Sequence, residues 1–373
     1  MTAEEHFLND LVRLDIGKGC SVLIGLSGGG DSVALLELVH RVAEQHQLTV
    51  HAARVVHGIR GDDVENAEIE LCSELCEERG IPFSSLNDGT DGISAVKHRL
   101  GTGTEQAARF IRHSALERHR KELGADFILL GHTAEDQLET ILMRVFTGSG
   151  PEGLRGIPES RSRLRRPLLS WHRSELRRLL RAAGVPWAED STNSDSAYRR
   201  NRIRNELIPL ISEIVPGWPG GLETLGERSG EVADVLDNHR KKVLPMKKCD
   251  SEVSWLIENW DEADDYTRAA AIWNGLSEID VSDIPDRRVP WRTIKDMRRS
   301  VSMGQTWTGR GFTLKRTDQR IILAVIEQTF GKFGDEGRIV LDAEDLIKGF
   351  TATLGGYRIV IQPDAIDIAS APV

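Results

Sequence analysis

Apolar and polar positions along the first 140 residues alternate between two periods. Residues 20–26 (CSVLIGL) form a short apolar run ending at glycines, which predicts a buried strand. Residues 31–43 then place Val33, Leu35, Leu36, Leu38 and Val39 at helical spacing. The same reading predicts strands over 48–56, 81–86 and 127–130, and helices over 64–79, 105–123 and 134–146. Strands alternating with helices predict an α/β, Rossmann-like parallel sheet covered on both faces. Ligands of such sheets bind at the carboxyl ends of the strands, where the glycines after Leu26 and the pairs His57-Gly58 and Gly131-His132 fall.

Beyond Gly148 the texture changes. Residues 148–166 are rich in Gly, Pro and Arg; 173–183 predict a short helix, 190–198 a polar loop and 199–214 another helix. The breaker cluster Pro216-Gly217-Trp218-Pro219-Gly220 marks a domain boundary. Residues 221–303 read as mostly helical, with Trp255, Trp260, Trp273 and Trp291 at core-like spacing. After Gly304 short strands are expected at 312–316, 320–325, 338–341 and 357–361. The expected units are therefore 1–215, 221–303 and a small β-rich unit, 304–373.

Composition adds limits. The 373 residues carry 48 Lys+Arg against 58 Asp+Glu, a net charge of -10 that by itself argues against a nucleic-acid partner. Resolved by segment, the balance is -11 over 1–140, +7 over 141–210 and -6 over 211–373. Twelve arginines and no lysine fall within 161–204: Arg161, Arg163, Arg165, Arg166, Arg173, Arg177, Arg178, Arg181, Arg199, Arg200, Arg202 and Arg204. Such a band is an electrostatic footprint for RNA. Trp171, Trp187 and Tyr198 are interleaved with it and suit base stacking as readily as core packing. Lys241, Lys242, Lys247 and Lys248 form a second, smaller basic strip. Four cysteines are too few for a disulfide framework, and the acidic N-terminus lacks the apolar stretch of a secretory signal. No apolar run approaches the ~18 residues of a membrane span. A reduced, cytoplasmic, soluble protein is expected.

The candidate chemistry begins at SGGGDS, residues 27–32, between the first strand and helix. Backbone N–H groups of a glycine turn and a helix N-terminus cradle anions. Ser32 adds a hydroxyl and Asp31 an oxygen for Mg²⁺. The plain alternative is a turn with Asp31 or Ser32 as helix cap. The string fits neither the Walker A loop nor the dinucleotide fingerprint. Ser-Gly-Gly-x-Asp-Ser instead resembles the pyrophosphate-binding loop of the N-type ATP pyrophosphatases, the PP-loop family.

Further segments narrow the resemblance. His57-Gly58-Ile59-Arg60 follows the second strand. Glu105, Ala108, Arg109 and Arg112 share a helix, and Gly131-His132 precedes Asp136, Glu139 and Thr140. Gly148-Ser149-Gly150, Gly153-Leu154 and Gly156 come next, then Arg166-Pro167-Leu168-Leu169, and finally Asp190, Asn193, Asp195, Arg200-Asn201 and Arg204. In order and spacing, over roughly residues 20 to 210, these resemble the tRNA(Ile)-lysidine synthetases. Three positions depart from that family's pattern: Val56 replaces the Asp before His-Gly, Glu135 an Asp, and His113 a frequent Tyr. Beyond residue 220 only the general layout is similar.

The resemblance implies a ligase that forms a carbon–nitrogen bond with ATP and Mg²⁺. ATP adenylates the wobble cytidine of tRNA(Ile) with a CAU anticodon, releasing pyrophosphate, and free L-lysine then displaces AMP. It assigns Ser27, Gly28, Gly29, Gly30, Asp31, Ser32 and His57 to ATP, and Asp31 to the metal. Asp31, Arg112, His132, Asp136 and Glu139 go to the reacting centre. Asp136, Glu139, Asn193, Arg200 and Arg204 go to substrate, and the helical unit to tRNA. A homodimer is compatible with this; a membrane partner is not. Asp136 and Glu139 lie three apart and so share a helix face, suited to Mg²⁺ or an ammonium; a solvated acidic face is the ordinary alternative. Two other functions remain: a PP-loop tRNA sulfurtransferase, and a non-catalytic ATP-binding, RNA-binding protein. The first usually needs reactive cysteines, whereas Cys72 and Cys76, four apart on a helix, suit packing.

Overall fold

The computed structural model describes residues 2–56, 62–87, 96, 103–188, 199–249, 252–279, 289–309, 311–325, 350–354 and 357–361. The expected strand at 338–341 and loop at 190–198 lie outside them, as do His57, Gly58, Ile59 and Arg60.

Helix α1 (Ala3–Arg13) opens the chain and was not foreseen; Thr2 and Glu5 close a capping box on it, and Phe7 and Leu11 are buried beneath. Strand β1 (Ser21–Gly25) leads into α2 (Gly30–His46), β2 (Thr49–Val56) into α3 (Asp62–Glu77), and β3 (Phe83–Asn87) into α4 (Thr104–Leu123). β4 (Phe127–Leu129) follows, then α5 (Ala134–Phe146). The strands lie in the order β3-β2-β1-β4, all parallel. One core packs α1 and α2 on one face of the sheet. A second packs Ile111, Ala115 and Leu116 of α4 on the other. The alternation of apolar strands and amphipathic helices thus gives the doubly covered sheet it predicts.

The chain leaves β1 towards β2 and β3, then returns to β4 on the opposite side. That reversal opens a crevice at the carboxyl ends of β1 and β4. Two features of the Gly/Pro/Arg-rich stretch extend the sheet beyond β4: β6 (Leu164–Arg165) runs parallel to β4, and β5 (Ser160–Arg161) antiparallel to β6. The short helix α6 (Pro151–Leu154) precedes them, and α7 (Arg173–Ala183) follows and packs on α2. Trp171, just before α7, is buried; its N–H donates to Asp10 at 2.8 Å and its ring stacks on His6 at 4.5 Å. It is a packing residue, not a base-stacking one.

The helix expected over 199–214 is interrupted. α8 (Arg199–Arg202) passes through a π-helical turn (Ile203–Leu207) into α9 (Ile208–Ile214). Pro209, which lacks an N–H for the regular ladder, sits in the first turn of α9. The breaker cluster ends this helix, but Trp218-Pro219-Gly220 already form the first turn of α10 (Trp218–Val243), with proline where an N–H is dispensable.

α10 packs on α5 and α6: a Cβ at Gly226 would meet the Ile141 side chain, and Arg155 pairs with Asp234 at 3.1 Å. The stretch read as helical also contains β7 (Lys247–Cys249) and β8 (Glu252–Leu256). These join β9 (Trp307–Gly309), β10 (Phe312–Arg316) and β11 (Arg320–Val325) in one antiparallel sheet, order β7-β8-β11-β10-β9. Helices α11 (Ile257–Glu262), α12 (Asp265–Glu278) and α13 (Trp291–Ser302) share its core through Trp255, Trp260, Ile272, Ile294 and Leu323. The core therefore spans both sides of the expected 303/304 boundary. Trp291 is 41% exposed, against its core assignment. β12 (Phe350–Leu354) and β13 (Tyr357–Ile361) form a separate hairpin. Among the described residues no helix is long and apolar enough to cross a membrane.

Candidate active site

The glycine loop follows β1 into the crevice. Gly28 takes a positive φ of 84°, and Gly29 caps α2 with no side-chain hydrogen bond, so neither Asp31 nor Ser32 is the helix cap. Ser32 instead closes the loop on itself. Its Oγ donates to the Gly29 carbonyl at 2.8 Å and accepts from Ser27 N–H at 3.1 Å. Beneath the loop the buried Arg54 of β2 donates to the Ser27 carbonyl and pairs with Glu68 of α3. From the other strand, Gly131 lets the β4–α5 turn press against α2: a Cβ there would lie 2.8 Å from the Asp31 carbonyl oxygen. That contact brings Asp31 and the start of α5 into one site.

The first turn of α5 supplies the acids. Asp136 turns one carboxylate oxygen back to the Thr133 N–H at 2.9 Å, as a helix cap, and leaves the other for partners. Glu139, one turn on, is 1% exposed. Glu135 ties α7 down, accepting from the Arg173 N–H at 3.0 Å. Three guanidiniums converge on the acids. Arg173 reaches Asp136 at 2.5 Å, Glu139 at 3.3 Å and Asp31 at 3.3 Å. Arg200 reaches Glu139 at 2.7 Å and Asp136 at 2.9 Å, and Arg204, carried by the π turn, reaches Glu139 at 2.6 Å. Burial works to raise the Glu139 carboxyl, but Arg204 and Arg200 outweigh it and hold it below its ordinary range. At Asp31 the balance is reversed: burial wins over Arg173 and Arg177, and its carboxyl is raised.

A second group gathers Arg109, Arg112 and Arg166 near His113 and His132. Arg166, next to β6, is 2% exposed and donates to the Pro158 carbonyl at 2.7 Å; burial and nearby Arg109 and Arg161 lower it to about 10. Burial, with Arg112, Arg109 and Arg166, pushes His113 down to about 3. Burial and Arg166, Arg112 and Arg109 take His132 well below its usual value. Both imidazoles are therefore neutral at pH 7. His132 can give or take a hydrogen bond there.

The structure thus gathers Ser27, Gly28, Gly29, Gly30, Asp31, Ser32, Arg112, His132, Asp136, Glu139, Arg200 and Arg204 around one crevice. His57, Asp190, Asn193, Asp195 and Tyr198 lie outside the described residues. The arginine band is not one stripe. Arg165 and Arg166 are buried, Arg173, Arg177, Arg200 and Arg204 turn into the site, and Arg161, Arg163, Arg178, Arg181 and Arg202 remain exposed. Arg173 and Arg177 had been counted only as band members. Their i, i+4 spacing puts both on one side of α7, but Arg177 and the exposed Arg181 share that spacing, so the sequence alone did not single them out. Cys72 and Cys76 are buried, their thiols pushed up to about 11 and about 12 by desolvation, as packing residues should be.

Comparison with known proteins shows what the chain is similar to. The chain is 29% identical over 320 residues to the tRNA(Ile)-lysidine synthase of Treponema denticola, covering 82% of this chain and 67% of that protein. It is 36% identical over 251 residues to the same-named protein of Borreliella burgdorferi, covering 65% and 56%. The chain thus spans about half to two thirds of the length of the curated relatives it matches. Among solved structures, a U34-tRNA thiolase from Methanococcus maripaludis with its 4Fe-4S cluster aligns with a TM-score of 0.50 at 22% identity, covering 60% of this chain and 78% of that one; the likeness is one of fold. The family model for the PP-loop domain matches residues 4–211, more than half of the chain, and the chain belongs to the PP-loop domain family.

Proposed function

We propose that the protein is a tRNA(Ile)-lysidine synthase, an ATP-dependent ligase acting on the wobble cytidine of tRNA(Ile) with a CAU anticodon. The observation that carries this is Arg173, which touches the glycine-loop acid Asp31 and the α5 pair Asp136 and Glu139 at once. A nucleotide site and an acid pair suited to an ammonium therefore share one crevice.

In the first step the cytidine 2-oxygen attacks the α-phosphorus, the α–β bridge breaks, and pyrophosphate leaves. In the second a lysine amine forms a bond to C2, loses a proton, and AMP leaves with the former 2-oxygen. The uncapped N–H groups at Gly29–Gly30 and the Ser32-braced loop hold phosphate. Arg112, with half-buried Arg109 and buried Arg166 near it, stabilises negative charge on the transferring group. Asp136 and Glu139 hold lysine by its charge, with Arg200 and Arg204 fixing their orientation. Asp31 fits Mg²⁺: its Oδ1 is buried without a hydrogen-bond partner, and such ions take one or two carboxylates plus phosphate oxygens. When bound, the ion neutralises phosphate charge. ATP and tRNA as substrates place the enzyme in the cytoplasm. The buried, high-pKa Cys72 and Cys76 speak against the sulfurtransferase reading.

Mass spectrometry of tRNA after incubation with ATP and isotopically labelled lysine tests the proposal. The expected result is one added lysine at the wobble cytidine, with pyrophosphate released. No mass gain with cognate tRNA refutes it, and pyrophosphate release without lysine incorporation points to another adenylation.

A further inference from the structure

Arg177 occupies an unusual position. Its Nη1 stands 1.7 Å from where a Cβ on Gly30 would be, so the guanidinium rests directly over the loop. It lies 3.2 Å from Asp31 Oδ1, yet neither of these buried atoms makes a hydrogen bond. The pair is an ionic contact with unused donor capacity. The guanidinium also lies over Trp187 at 5.3 Å, and the neighbouring Ala188 N–H bonds the Gly28 carbonyl at 2.9 Å, fixing this wall to the loop. Arg173, one helical turn earlier on α7, reaches the other Asp31 oxygen. Two cations thus overhang the turn whose backbone N–H groups would receive a phosphate from below.

Resting on the proposed function, we infer that Arg173 and Arg177 are ligands of the leaving pyrophosphate, closing the glycine loop from above and passing from Asp31 to the β- and γ-phosphates when ATP enters. Guanidinium forks match phosphate oxygens, and their contact with Asp31 neutralises that buried carboxylate until nucleotide arrives. The adenosine half of ATP is left to other parts of the crevice. The two arginines should therefore discriminate pyrophosphate from AMP.

Titration calorimetry on the full chain, with inorganic pyrophosphate and with AMP as separate probes, reads this without turnover. Loss of one charge-assisted contact in Arg177→Gln should weaken pyrophosphate binding about tenfold or more, with AMP affinity changed less than about twofold. Arg177→Lys, which keeps charge and loses the fork, should fall between. Arg173→Gln should resemble Arg177→Gln. Arg178→Gln, exposed on the same helix, should bind both ligands as the unsubstituted protein does. The inference is overturned if the unsubstituted chain does not bind pyrophosphate, or if Arg177→Gln leaves that binding unchanged. It is equally overturned if pyrophosphate and AMP weaken together, or if Arg178→Gln weakens pyrophosphate as much. Failure of lysine incorporation in the parent enzyme, with Arg177-dependent pyrophosphate binding intact, refutes the lysidine reading and leaves this one standing.

Discussion

Replacing Glu139 by Gln removes the charge at the centre of the arginine cluster while keeping the side chain's shape. Glu139 is 1% exposed and accepts contacts at 2.6 and 3.0 Å from Arg204, 2.7 Å from Arg200 and 3.3 Å from Arg173. A carboxamide would turn an N–H towards guanidinium donors. Removing one partner of a buried pair costs about 3–5 kcal/mol. Here the three arginine side chains are 21 to 28% exposed and Asp136 still compensates them, so about 2–3 kcal/mol is expected. For a domain of this size that lowers Tm by roughly 5–10 °C. The effect should depend on pH in a stated direction. The folded carboxyl lies below its ordinary 4.5, so its stabilisation is present above that value and is lost as pH falls through the folded one. Thermal unfolding of both proteins should show the full gap at pH 7 and a closing gap below about pH 4. A gap absent at pH 7, or constant down to the acid limit, would refute the claim that the cluster stabilises through Glu139's charge.

Three further outcomes are expected. Gly131→Ala places a Cβ 2.8 Å from the Asp31 carbonyl and should displace the glycine loop; KM for ATP should rise about tenfold with about 1–2 kcal/mol lost in urea unfolding, and an unchanged KM counts against the close approach. Because burial raises the Asp31 carboxyl, its protonated form favours the fold below the unfolded value of 3.8, and that advantage is lost as pH rises. Asp31→Asn should therefore melt no lower than the parent at pH 7 while losing pyrophosphate release; a fall of several degrees contradicts this. His113 is depressed from 6.5 to about 3, so it favours the fold above 6.5 and withdraws that support as pH falls towards 3. His113→Asn should flatten the loss by up to about 1.4 kcal/mol per pH unit, and parallel pH profiles would show the ring is not buried neutral.

Much of the first domain was legible because its signals are local. Apolar runs ending in glycine at Leu26, and at Gly131 beyond β4, fixed the strands, and the helix over 134–146 matched its observed bounds. β7 and β8 were missed because three- and five-residue strands carry almost no periodicity; β8 is made a strand by β11, more than sixty residues away, and β7 by pairing with β8. The crevice residues were assigned from the family resemblance. Their charge state was not, since it depends on which arginines face inward. Helix α7 shows the limit: its sequence counts Arg173, Arg177, Arg178 and Arg181 alike, whereas docking of Leu176 and Leu180 on α2 turns the first two to the site and the others to solvent. The π turn was likewise invisible, although Pro209 marks where a regular ladder fails.

Helix α10 has a consequence for reach. Its 26 residues span on the order of 39 Å at ~1.5 Å each. One part is clamped to the catalytic domain through Gly226 and Asp234, and its end delivers exposed Lys242, the nearby Lys241 and the start of the second core at Leu244. It therefore behaves as a ruler with a phase. Inserting or deleting one residue past the clamp would turn the heading of the rod's end by ~100°, while removing seven would nearly restore it and draw the lysines about 10 Å closer to the clamp. The spacing and heading of these exposed lysines relative to the clamp follow from an integer number of residues in this one rod.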